Sequence, residues 1–134
     1  MFQNQPSAQR PTGRASTILL VEDDPDILNI PRRLMQGLNS GYDIVTVSDG
    51  AQALAQSAQR PVRLLITDYS MPKMTGIDLT KAVKEISPAT HVLLITAYAT
   101  PELEKWASEA GVDYYLSKPF PLTRLMQIAR DTLL

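Results

Sequence analysis

The feature that most constrains this chain is a set of short apolar runs with no polar interruption: ILLV at Ile18 to Val21, LLI at Leu64 to Ile66 and VLLI at Val92 to Ile95. A strand that is wet on one face alternates apolar and polar residues, whereas one covered by helices on both faces reads as a continuous apolar run. Two further runs of strand length, Ile44 to Val47 and Tyr114 to Leu116, bring the total to five. Between the runs, apolar residues recur at helical spacing: Ile27, Ile30, Leu34 and Leu38; then Leu103, Trp106, Ala107 and Ala110; finally Leu122, Leu125, Met126, Ala129 and Leu133. Each stripe needs a sheet face to cover. Strands alternating with helices predict a parallel α/β sheet.

Five strands and five helices joined by right-handed crossovers give a doubly wound sheet, for which the flavodoxin-like order 2-1-3-4-5 is the common five-strand solution. The local punctuation agrees. Pro101 after Thr100 suits the first turn of a helix, Gly111 suits its end, and Gly41 and Gly50 bound the second strand. Pro31 conflicts with its helical surroundings, because it lacks an N–H and its ring crowds the preceding turn, so a local distortion is expected in the first helix. Residues 1–16, MFQNQPSAQRPTGRAS, are polar and carry Arg10 and Arg14. They read as a flexible tail before one folded domain at 17–134.

Composition removes several function classes. The chain has 134 residues, 44% hydrophobic and 20% charged, enough apolar material for a single core. Thirteen basic against fourteen acidic residues leave a formal charge of −1, without the basic excess that direct nucleic-acid binding requires. With no Cys and only His91, neither a disulfide framework nor a thiolate or His-rich metal centre can form, so any metal must be held by oxygen. No run approaches the roughly 18 consecutive apolar residues of a membrane span, and the N-terminus lacks a signal-peptide pattern; a cytoplasmic location without membrane contact is the expectation.

In an open α/β sheet, sites form beyond the carboxyl ends of the strands where the strand order reverses, here strands 1 and 3. Strand 1 runs into Glu22, Asp23 and Asp24, and strand 3 runs through Thr67 into Asp68. Neighbouring strands lie about 4.8 Å apart, close enough for their carboxylates to share one cation. Clustered carboxylates without a cation would raise one another's pKa, and Mg²⁺ suits oxygen ligands. Asp23 and Asp24 can also be read as helix caps before Pro25, but capping does not account for a carboxylate at the end of the next strand. Strand 4 ends in Thr96 and strand 5 in Ser117, Lys118 and Pro119, which adds a hydroxyl and an ammonium to the same edge. Together these groups describe an anion pocket around Asp68, a carboxylate able to act as nucleophile and form an aspartyl phosphate.

The segments ILLVEDD, LLITDYSMPKMTG, LLITA and YYLSKPF resemble the four motif blocks of the response-regulator receiver domain of bacterial two-component signalling, over about residues 17 to 134. The resemblance implies that Asp68 is the phosphoacceptor, taking a phosphoryl group from a sensor histidine kinase or phosphotransfer protein, with Thr96 and Lys118 contacting the phosphate. It implies Mg²⁺ held by Asp23, Asp68 and the main-chain carbonyl of Ser70, with Glu22 acting through water. It also implies a cis Lys118–Pro119 bond, and a switch in which Thr96 moves and the Tyr115 ring turns, altering a surface of the fourth helix, fifth strand and fifth helix (about Pro101 to Leu134) used for output or for a homodimer. Tyr98, two residues after Thr96, is expected to hinder water at the pocket. Thr75 departs from the family, which often has an acid there. Such a domain is a signalling phosphoacceptor with intrinsic phosphotransfer and slow autodephosphorylation, not an enzyme in the usual sense.

Two other classes compete. A haloacid-dehalogenase-like phosphatase wants a second acid two residues after its nucleophile, and Ser70 stands there. A receiver-like interaction module that is never phosphorylated would have no physical need of Glu22, Asp23, Asp68, Thr96 and Lys118 together. The glycine-rich loops of nucleotide-binding proteins are absent from the sequence.

Overall fold

The structure, a computed structural model, describes residues 17–22 and 42–133. Five strands form one sheet in the order β2-β1-β3-β4-β5. They are β1 (Thr17–Val21), β2 (Asp43–Val47), β3 (Val62–Asp68), β4 (His91–Thr96) and β5 (Tyr114–Ser117), all parallel. Among the described residues there are four helices: α1 (Gly50–Gln59), α2 (Gly76–Ile86), α3 (Pro101–Ala110) and α4 (Leu122–Leu133). The helix expected over Ile27 to Leu38, the distortion at Pro31 and the tail at 1–16 lie outside the described residues, so α3 and α4 are the fourth and fifth helices of the sequence reading.

The uninterrupted runs are explained by what covers them. Ile18 and Leu20 of β1 pack with Leu64, Ile66, Leu93, Ile95 and Leu116 against Leu125, Ile128 and Ala129 of α4. Leu19 and Val21 point the other way, with Leu65 and Val92, against Ala53 of α1 and Leu79 and Val83 of α2. Successive side chains of a strand face opposite sides, so two covered faces demand apolar residues at every position. Burying one Leu or Ile side chain is worth about 1.5–3 kcal/mol, and both layers rest on such residues.

Caps set the helix starts. Asp49 accepts from Gln52 N at 2.8 Å to open α1. Thr75, where the family often has an acid, opens α2 through a reciprocal capping box: its hydroxyl accepts from Asp78 N, and the Asp78 carboxylate accepts from Thr75 N. Thr100 and Pro101 open α3 as expected, and Gly111 ends it at φ 101°, a left-handed conformation that favours glycine.

Two side chains leave the faces that periodicity assigned them. Trp106 is 54% exposed while Leu103 and Ala107 of the same stripe are buried, and Leu122 is 42% exposed at the first turn of α4. Both correct the sequence reading. A stripe for α3 that satisfies the sheet is narrower than one drawn through every apolar residue, and Trp106 falls at its rim.

At the amino edge of the sheet, the Lys84 ammonium donates to Thr90 O at 2.7 Å and to Asp113 Oδ2 at 3.1 Å. Asp113 Oδ2 also accepts from Val92 N at 2.8 Å, which ties α2, β4 and the turn before β5 together. No helix among the described residues is long and apolar enough to cross a membrane.

Candidate functional site

The parallel register aligns the carboxyl ends of the strands. Val21 pairs with Thr67, Asp68 with Ile95 and Thr96 with Ser117, so the residues that follow these pairs emerge along one edge. Glu22 continues β1 by donating its N–H to Val47 O. Asp68 ends β3 with 8% exposure, and Glu22 is equally buried.

Lys118 joins these two acids. Its Nζ lies 2.6 Å from Asp68 Oδ1 and 3.6 Å from Glu22 Oε2. Burial alone would lower its pKa, but the hydrogen bond and charge of Asp68, followed by the charge of Glu22, outweigh that effect and hold it above the ordinary lysine value. The other oxygen of Asp68, Oδ2, accepts from Ser70 N at 3.1 Å. Both carboxylate oxygens are thus oriented, one by an ammonium and one by a main-chain amide. The Lys118–Pro119 peptide bond is cis.

Thr96 is buried and one position beyond the register partner of Asp68. Its Oγ1 accepts from Tyr98 N at 3.0 Å, and its carbonyl accepts from Lys118 N at 2.7 Å, which fastens β4 to the residue that carries the ammonium. The Tyr98 ring is 74% exposed. Tyr115 pairs with Leu94, so it stands on the sheet face shared by Leu94 and Thr96. It packs against the cluster of Ile77, Leu94, Leu103 and Ala107. Its hydroxyl is buried with no hydrogen-bond partner among the described residues, and burial, then the charge of Glu104, raises its pKa.

Of the residues singled out from the sequence, the structure brings Glu22, Asp68, Ser70 and Lys118 into direct contact and sets Thr96 and Tyr115 on the adjoining strands. Asp23 lies outside the described residues. Among the described residues no three His, Asp or Glu side chains converge on a common point. The donor set nonetheless suits a hard cation: two carboxylates are drawn to one point by a single ammonium, without sulfur or imidazole.

The sequence reading placed Gly76 at the end of the loop motif after Asp68, without the steric reason for it. A Cβ built there would lie 2.5 Å from Asp68 O and 2.6 Å from a Leu94 methyl, so α2 can start this close to the site only without a side chain at that position.

A model of the response regulator receiver domain family matches residues 18–130. The chain belongs to that family. The receiver domain is similar to CpdR of Brucella abortus, a response regulator receiver protein, with 36% identity over 110 residues covering 81% of this chain and 89% of CpdR. It is similar also to the transcriptional regulatory protein ZraR of Salmonella typhimurium, with 34% identity over 116 residues covering 87% of this chain but 26% of ZraR. It therefore spans about a quarter of the ZraR relatives' length. Among solved structures, the signal receiver domain of an HD domain-containing protein from Pseudomonas fluorescens superposes with a TM-score of 0.81 at 31% identity, over 90% of this chain and 95% of that one. Receiver domains of response regulators are signalling domains of two-component systems, and the flavodoxin-like order expected from the sequence is the order observed.

Proposed function

We propose that this receiver is a phosphoacceptor that takes a phosphoryl group from the phosphohistidine of a sensor kinase, or of a phosphotransfer protein, onto Asp68. The observation that carries the reading is the Lys118 ammonium held 2.6 Å from a buried Asp68 at the carboxyl edge of the sheet. One Asp68 oxygen attacks phosphorus as the P–N bond to the donor imidazole breaks, and the imidazole leaves with the electron pair. The transferring group is stabilised chiefly by position and charge. Lys118 neutralises negative charge beside the new aspartyl phosphate, and the Thr96 hydroxyl turns from Tyr98 N to a phosphoryl oxygen. Asp23, Asp68 and the Ser70 carbonyl would hold Mg²⁺ directly and Glu22 through water; the ion would supply the further positive charge that an incoming dianion requires.

On this reading Tyr115 reports the state of Thr96. The two share one sheet face, so moving the threonine frees space for the ring, and the α3, β5 and α4 surface changes with it. That surface serves output or homodimer contact.

The test is to incubate the protein with acetyl phosphate and Mg²⁺ and weigh it intact. The wild type should gain one phosphoryl mass and the Asp68→Asn variant none, because an amide is not a competent nucleophile. A wild type that never gains mass would instead favour an interaction module that works without phosphorylation.

A further inference from the structure

Between α2 and α3 lies an open groove of about 530 Å³ that the phosphoacceptor chemistry does not use. Its apolar lining is Tyr69, Ile77 and the indole of Trp106, which is 54% exposed. Its charged lining is Asp78 and Glu109 against Lys81, so acid exceeds base. Helical spacing places Glu102 one turn before Trp106 and Glu109 one turn after it, so the indole is flanked along α3 by carboxylates on both sides. Neither glutamate has an ion-pair partner among the described residues.

A tryptophan this exposed does little for the core, and an aromatic ring bracketed by unpaired carboxylates suits one kind of side chain. A guanidinium can stack on the indole face while its edge N–H groups reach carboxylates; an ammonium does this less well, lacking the planar fork. We infer that this groove is a docking site for a partner protein segment carrying an arginine beside an aliphatic residue. The arginine stacks on Trp106 and pairs with Glu109 and Glu102, and the aliphatic side chain lies over Tyr69 and Ile77. The net acidity of the lining complements such a segment and repels an acidic one.

Trp106 is the sole tryptophan of the chain, so its emission reads the groove directly. Random short peptides would be selected on the 134-residue chain, and the recovered peptides synthesised and titrated against Trp106 fluorescence at low salt. Recovered sequences should carry arginine next to Leu, Ile or Val and shift the emission saturably. Replacing that arginine by neutral citrulline, or making Glu109→Gln in the receiver, should each weaken binding about tenfold, as loss of a stacked ion pair predicts. Both receiver variants, Glu109→Gln and Glu102→Gln, alter exposed side chains and should keep the fold, checked by unchanged urea unfolding. The proposal is overturned if no selected peptide alters Trp106 emission, if citrulline binds as well as arginine, or if Glu109→Gln leaves affinity unchanged. It is overturned equally if the emission shifts with protein concentration alone, since the occupant would then be a second copy.

Discussion

An ammonium shared between Asp68 at 2.6 Å and Glu22 at 3.6 Å gives up its proton later than a free lysine does. Because the folded pKa of Lys118 is raised, the native state binds that proton more tightly than the unfolded chain. Its contribution to stability is therefore full below an unfolded pKa of about 10.4 and is lost as pH climbs through the folded value. Lys118→Met should unfold at lower urea than wild type near neutrality, and the gap should narrow as pH rises above about 10.4. A gap that stays constant across that range would show that the ion pair adds nothing. Tyr115 presents the opposite situation, a buried hydroxyl without a hydrogen-bond partner among the described residues. Tyr115→Phe removes a desolvated polar atom and keeps the ring, so it should raise stability by up to about 1 kcal/mol in urea unfolding, where most Tyr to Phe changes in a packed site cost stability.

The start of α2 is the element on which the geometry of Asp68 most depends. Gly76 N donates to Tyr69 O at 2.8 Å, and a methyl at Gly76 would collide with the carbonyl of Asp68. Gly76→Ala should destabilise the fold by about 1–3 kcal/mol, as overpacking does, and, on the proposed function, slow phosphoryl uptake more than the stability loss explains, because the collision falls on the backbone of Asp68. Urea unfolding alongside acetyl phosphate labelling separates the two effects. The strands were legible because burial on both faces leaves a plain apolar signature, and Asp68, Lys118 and Thr96 were legible because parallel topology sends every strand end to one edge. Trp106 and Leu122 were misassigned for a physical reason. Helical spacing gives the direction of a stripe but not its width, and the width depends on how closely the neighbouring element approaches. Thr75 was noticed only as a departure from the family, since a capping role needs the Asp78 geometry to be seen.

At the scale of the molecule, the two edges of the sheet are held differently. The amino edge is latched by Lys84, Thr90, Asp113 and Val92, whereas the carboxyl edge carries the charged pocket and a tyrosine with an unused hydroxyl. A charge change at Asp68 should therefore propagate along the carboxyl side. With Mg²⁺ and beryllofluoride as phosphate mimic, amide NMR shifts should extend from Asp68 through Thr96 to α3 and β5 and leave Lys84 and Asp113 unmoved; shifts confined to the strand-end loops would sever the coupling. The contributors to the pocket also come from distant parts of the chain, with Glu22 made early and Lys118 late. A nascent chain that has reached Ser117 contains the residues of β1, β3 and β4 but not Leu125, Ile128 and Ala129, which pack on Ile18, Leu20, Leu64 and Ile66. Glu22 and Asp68 gain their ammonium once Lys118 is made, whereas Ile18, Leu20, Leu64 and Ile66 gain Leu125, Ile128 and Ala129 only when α4 follows, so a chain cut before α4 should expose apolar surface and aggregate where the intact domain does not.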